Sequence, residues 1–124
     1  MSTLRVDTIE NSSGGSAINV PGAAKAWVNF NGTGTVAIRA SLNVSSITDN
    51  GTGNYTVNFT SAIADANYSA LATSGDNTIA STSESTQITN LSSTSVQIIT
   101  ATDGTGGSTY TLVDSGLVCV AVFR

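Results

Sequence analysis

A chain of 124 residues has the length of one domain, and its 40% hydrophobic residues are enough to fill a continuous core without disulfide or metal staples. Charged residues make up only 10%, against roughly 25% in an ordinary soluble domain, and the net charge of −4 leaves Arg5, Lys25, Arg39 and Arg124 as the cations. That balance argues against a nucleic-acid partner and against an anionic membrane surface, since both need clustered Lys and Arg.

The polar role passes to Ser, Thr, Asn and Gly, a mixture that suits strands and turns and offers little to the wet face of a helix. Residues 3–9, TLRVDTI, place Leu4 and Val6 on one side and read as a short strand. A run of small polar residues follows and ends at the single proline, in Val20-Pro21-Gly22. Residues 1–20 are therefore read as an N-terminal arm for oligomerisation or attachment, or alternatively as a first strand of the same sheet. Residues 21–124 form the main domain.

From Ala24 the alternation is clear. Ala26, Val28 and Phe30 share one face, and Lys25, Trp27 and Asn29 the other. Two NGTG sequences, at 31–34 and 50–53, predict hairpin turns because Asn and Gly tolerate positive φ. Between them, residues 35–39 resume as a strand, and Leu42 and Val44 continue on one face towards Ile47. Tyr55, Val57 and Phe59 then alternate strictly with Asn54, Thr56, Asn58 and Thr60. Residues 62–66 are too short for a stable helix and predict a connection into a strand over 67–73. Further strands are expected at 78–82, 86–91 and 95–101, with a third turn in DGTGG at 103–107. In the last stretch, GLVCVAVFR, Leu117, Cys119, Ala121 and Phe123 line one face, and Val118, Val120 and Val122 the other.

Short strands with regular turns and no amphipathic helix predict an all-β protein, an antiparallel β-sandwich of jelly-roll-like form. A terminal strand apolar on both faces needs cover on both. A second subunit is the simplest source of that cover, although a folded-over loop or the N-terminal arm would also serve, so Val118, Val120 and Val122 are candidates for a subunit-interface strand.

Catalytic signals are sparse. The chain has no His, hence no Ser-His-Asp triad and no imidazole metal ligand. Cys119, in an apolar run, is read as a buried and inert thiol. Asp49, Asp65, Asp76, Glu84, Asp103 and Asp114 could in principle supply a carboxylate pair for glycoside cleavage, but each lies in or beside a turn where an acid is expected anyway. Calcium at 103–108 or at Asp76-Asn77 lacks the spaced oxygens of a known loop. No enzyme, metal or cofactor is expected. Trp27 is the exception to the core parity: it sits with Lys25 and Asn29, either at a subunit interface or as a platform for a sugar ring. Tyr68 and Tyr110, near loops, carry the same pair of readings.

The stretch KAWVNFNGTG…SLNVSSITDNGTGNYTVNFTSAIADANYSA resembles a module of bacteriophage tail-fibre and related virion proteins, especially marine ones. The points of likeness are Lys25-Ala26-Trp27-Val28, Asn43-Val44-Ser45-Ser46-Ile47, Gly51-Thr52-Gly53, Tyr55-Thr56-Val57 with Phe59, and Asp65 with Asn67-Tyr68, over residues 24–70. The opening STLRVDTIENSSG is similar to the start of small phage fibre-like proteins. The resemblance implies a non-enzymatic virion protein of a tail fibre or tail tip, a homotrimer bound to other virion proteins and in contact with host-surface glycans. It would be made in the host cytoplasm, as no apolar leader opens the chain. The short stretch before the module adds one alternative, a capsid decoration or head-fibre protein, and the sugar-platform reading of Trp27 adds a second, a carbohydrate-binding domain.

Overall fold

Among the described residues, the stretches that alternate apolar with polar side chains, as in 24–31 and 54–59, are extended. The computed structural model describes residues 2, 22–75, 84–103 and 109–124, and among these it holds nine strands and no helix. Four pairs of consecutive strands are antiparallel neighbours: β1 (Ala24–Asn31) with β2 (Ala37–Leu42), β3 (Val44–Asp49) with β4 (Asn54–Phe59), β6 (Glu84–Leu91) with β7 (Ser95–Asp103), and β7 with the short β8 (Tyr110–Leu112). The remaining strands are β5 (Ser69–Gly75) and β9 (Leu117–Phe123). They form a first sheet in the order β2-β1-β9-β5 and a second in the order β3-β4-β7-β6, with β8 paired to β7.

The antiparallel two-sheet sandwich agrees with the sequence reading. Among the described residues β2 is an edge strand of the first sheet, paired to β1. The expected strands at 3–9 and 78–82, the N-terminal arm and the glycine turn after Asp103 lie outside the described residues.

Between the sheets, Ala26, Val28 and Phe30 of β1 and Val118, Val120 and Val122 of β9 join Tyr55, Val57 and Phe59 of β4 and Val96 and Ile98 of β7 in one buried cluster. Full burial of such a side chain stabilises by about 1.5–3 kcal/mol. Phe30 and Tyr55 meet edge to face, their centroids 5.3 Å apart. Phe59 does the same with Tyr68 at 6.1 Å.

Two expectations change here. Val118, Val120 and Val122 are 0–3% exposed within the single chain, so they are core residues and not a subunit-interface strand. The physical reason is that β9 is an interior strand of the first sheet, and its valine row is the one turned towards the second. Tyr68 is likewise core: its ring packs on Phe59 and its hydroxyl lies 3.0 Å from the carbonyls of both Ser92 and Ser95.

Leu42 and Val44 do not share a strand face, because the chain changes sheets between them. Asn43 makes the corner, with φ of 53°, a left-handed conformation that Asn accepts more readily than most residues. Its side chain ties the corner down, donating to the carbonyls of Lys25 (3.1 Å) and Ser61 (3.0 Å) and accepting from the Ser61 amide (2.8 Å). Both NGTG segments do connect hairpins, yet positive φ falls on Gly34, Gly51 and Gly53 and not on the two asparagines. Asn31 acts instead through its side chain, which bonds the backbone and hydroxyl of Thr33.

Gly34 and Gly53 adopt nearly the same φ, +61° and +62°, in different surroundings. A Cβ at Gly34 would meet nothing within 4 Å, whereas one at Gly53 would lie 2.5 Å from the Thr100 carbonyl oxygen and 2.7 Å from that of Val113. Gly34→Ala is expected to cost about 1 kcal/mol through backbone strain alone, and Gly53→Ala at least about 1–3 kcal/mol more. Urea denaturation of the two variants measures the difference; equal costs would mean that the turn at Gly53 is not packed as described.

Candidate functional site

The two outer faces of the sandwich differ in chemistry. On the second sheet the outward side chains of β3 and β4 are amides and hydroxyls that bond one another. Asn58 donates to Ser46 (3.1 Å) and Thr48 (2.9 Å), Asn50 donates to Thr56 (2.9 Å), and Gln97 donates to Asn54 (2.9 Å).

On the first sheet the outward side chains are largely apolar. Strand register places Leu42, Trp27, Ala121 and Leu71 in one row across all four strands. Leu71 is 59% exposed, Leu42 49% and Trp27 38%. The adjoining row is Ala40, Asn29, Cys119 and Thr73. Small residues on β9 thus lie between larger ones on β1 and β5, and the result is an open groove of about 430 Å³ floored by Cys119 and Ala121. Arg39 closes one end of the β2 edge. Its guanidinium donates to the carbonyls of Phe30 (3.1 Å) and Gly116 (2.7 Å) and to the Asn29 side chain (3.3 Å), at the bulge where β1 and β2 shift register.

Of the five residues singled out for contact, the fold brings only Trp27 and Asn29 together, in this groove. Lys25 lines a separate cavity of about 550 Å³ with Asn43, Ile63 and Arg124. Tyr110, 66% exposed, stands on β8 of the other sheet beside Leu112 and a cavity of about 90 Å³. Tyr68 is in the core. Cys119 is half-buried on the groove floor and not enclosed in the core as expected. The sequence reading also missed Leu71 and Ala121. The one signal for Leu71 was that its strand alternates Leu and Thr with the small Ala70 and Ala72, so the larger residues need not be the inward ones.

Four of the five Asp and Glu side chains among the described residues are engaged as acceptors, in turns and at one end of the sandwich. Asp49 accepts from the Gly51 amide, Asp65 from the Asn67 amide and from Arg124, and Glu84 from the Ser115 hydroxyl. Asp114 accepts from the Gly53 amide (2.8 Å) and from the Tyr55 hydroxyl (2.8 Å), which also has the Gly32 carbonyl at 3.0 Å. Thr100, fully buried, donates its hydroxyl to the Val113 carbonyl at 2.5 Å. These bonds lock the segment before β9 against two hairpins. Burial first, and then the bond to Asp114 and its charge, push the Tyr55 phenol well above the usual tyrosine range. Burial also raises Tyr68, against the opposing effect of its bond to Ser92. The Asn67 amide, and then Arg124, hold the exposed Asp65 carboxyl below the usual carboxylate range.

Among the described residues no group of three or more His, Cys, Asp or Glu side chains is placed to hold a metal ion. The calcium candidate at Asp76-Asn77 and all but Asp103 of the one at 103–108 lie outside those residues. No protein-family model, curated protein or solved structure matches the chain.

The tyrosine shifts set a pH window. In the unfolded chain these phenols ionise near pH 10, while the folded chain keeps their protons. The unfolded state then binds fewer protons, so stability is constant with respect to these groups below about pH 10 and falls as pH rises beyond it. Tyr55→Phe is expected to lower stability at neutral pH by about 1–2 kcal/mol, because the Asp114 carboxylate loses a donor, and to make the alkaline decline shallower. Urea midpoints measured across the alkaline range check both; a decline identical in wild type and variant would remove Tyr55 as its source.

Proposed function

We propose that this chain is a non-enzymatic structural protein of a bacteriophage particle, part of a tail fibre or tail tip, and that it acts as a homo-oligomer among other virion proteins. The observation that carries the reading is the contrast between the outer faces: the β3–β4 half of one sheet presents self-bonded amides and hydroxyls, and the other sheet an apolar groove that invites a macromolecular contact. The resemblance of residues 24–70 to phage fibre modules supports it, and that stretch spans β1 to β4 and the crossing into β5. Low charge fits as well, because a neutral polar surface avoids indiscriminate electrostatic binding.

A second reading, binding of host-surface glycan, is favoured by Trp27 standing in an open groove beside Asn29 and Thr73. An indole face can stack on a sugar ring while an amide and a hydroxyl bond its substituents.

Immunogold imaging of purified particles tests the first reading, with label expected at the tail. Label over the capsid would make the chain a decoration or head-fibre protein, and particles without label would sink the virion assignment. For the second reading, a glycan array probed with wild type and Trp27→Ala should show binding that the variant loses.

A further inference from the structure

We infer that the outer face of the first sheet is a self-complementary, two-fold interface in which Trp27 of one copy seats over Ala121 of a second. The row across the sheet reads Leu42, Trp27, Ala121, Leu71: large, largest, smallest, large. A two-fold axis lying in the face, between β1 and β9, exchanges β1 with β9 and β2 with β5. It sets each Trp27 over the Ala121 of the other copy and each Leu42 over the other Leu71. The adjoining row behaves in the same way, with Asn29 over Cys119 and Ala40 over Thr73. Bulk meets a hollow at both indoles, as two stacked sheets at ~10 Å spacing require.

Charge is compatible with self-pairing. An isologous interface brings every charge near its own copy, and these two rows contain no ionisable group except the Cys119 thiol, with Lys25 one row beyond Trp27 near the start of β1. Arg39, at the edge, is already bonded to two backbone carbonyls. Extent is of the order required as well. Four strands of six to eight residues span ~19 Å by ~24 Å, so two copies cover ~900 Å² counted as flat and more with side-chain relief, near the ~1,000 Å² that a specific interface needs. Trp27 at its centre has the character of an interface hot spot.

The inference goes beyond the virion reading and differs from the three-fold form implied by the phage resemblance. Sedimentation of the full chain over a concentration series is expected to show mass rising from 12.5 kDa to twice that value, with the emission of the single tryptophan shifting to the blue in parallel. Leu71→Asp should weaken association about thirtyfold or more with an unchanged circular dichroism spectrum. Ala121→Trp is the sharper variant: it makes the face more apolar yet fills the hollow, so it should also yield monomers. Several results overturn the inference: a monomer at every concentration, a trimer, or a dimer that survives both substitutions. So do a monomer whose emission is already blue-shifted, which would give the face to residues 1–21, and a monomer whose emission responds to a glycan. A dimer missing from phage particles would leave this inference intact and defeat the virion reading, so the two failures are distinct.

Discussion

Val118, Val120 and Val122 occupy the middle of the first sheet, flanked by β1 and β5, and belong to the same buried cluster as the inward residues of β4 and β7. At about 1.5–3 kcal/mol each they account for about 5–9 kcal/mol, as much as the net stability of a typical domain. Because side chains alternate with a period of two, turning these valines inward turns Leu117, Cys119, Ala121 and Phe123 outward without further choice. Register then carries the consequence sideways, since Trp27 and Leu71 both lie opposite Ala121. The groove on the outer face is therefore the reverse side of the core, fixed by the same row of three valines.

Strand β5 shows how the alternatives balance. Its inward residues include Ala70 and Ala72, packed on the core, and Leu71 faces solvent. A slip of one residue would bury Leu71 and gain about 1.5–3 kcal/mol. The same slip would also turn Ser69 and Thr73 inward, at about 1–3 kcal/mol for each hydroxyl left without a partner, and it would expose the two alanines. Polar neighbours thus decide the parity of β5, and the leucine follows. At the crossing towards β6, the inward Ser74 is satisfied by the Thr86 hydroxyl at 2.6 Å.

This balance explains what could be read from the sequence. Where one face of a strand is apolar and the other polar, as in β1 and β4, strand, parity and core residues were all legible, and Trp27 and Asn29 followed as the outward pair. In β9 both faces are apolar, so periodicity locates the strand and is silent on its parity; the choice of the valine row as an interface was made where the pattern holds no information. Tyr68 was read by its distance from strand alternation, whereas its position is set by Phe59 and by carbonyls more than twenty residues away. The lock between Tyr55 and Asp114 joins residues 59 apart in the chain, and no local spacing announces such a contact. Asn43 was visible only as part of a strand, because a corner between sheets is a relation between two strands and not a property of either.

The two outer faces also bear differently on contact. A ligand that hydrogen-bonds to the second sheet must compete with bonds that Asn58, Asn50 and Gln97 already make within the face, so each new bond is gained against one lost and the net return is small. On the first sheet the row of Leu42, Trp27, Ala121 and Leu71 has no such internal satisfaction to give up. Covering Leu42, Trp27 and Leu71 releases water from apolar surface and breaks no polar bond among the side chains of that row. Contact is thus favoured on the first sheet over the β3–β4 half of the second, and its geometry selects for a surface that is flat, uncharged and matched in bulk to a groove one strand wide. A second copy of the same face meets all three conditions with no change in sequence.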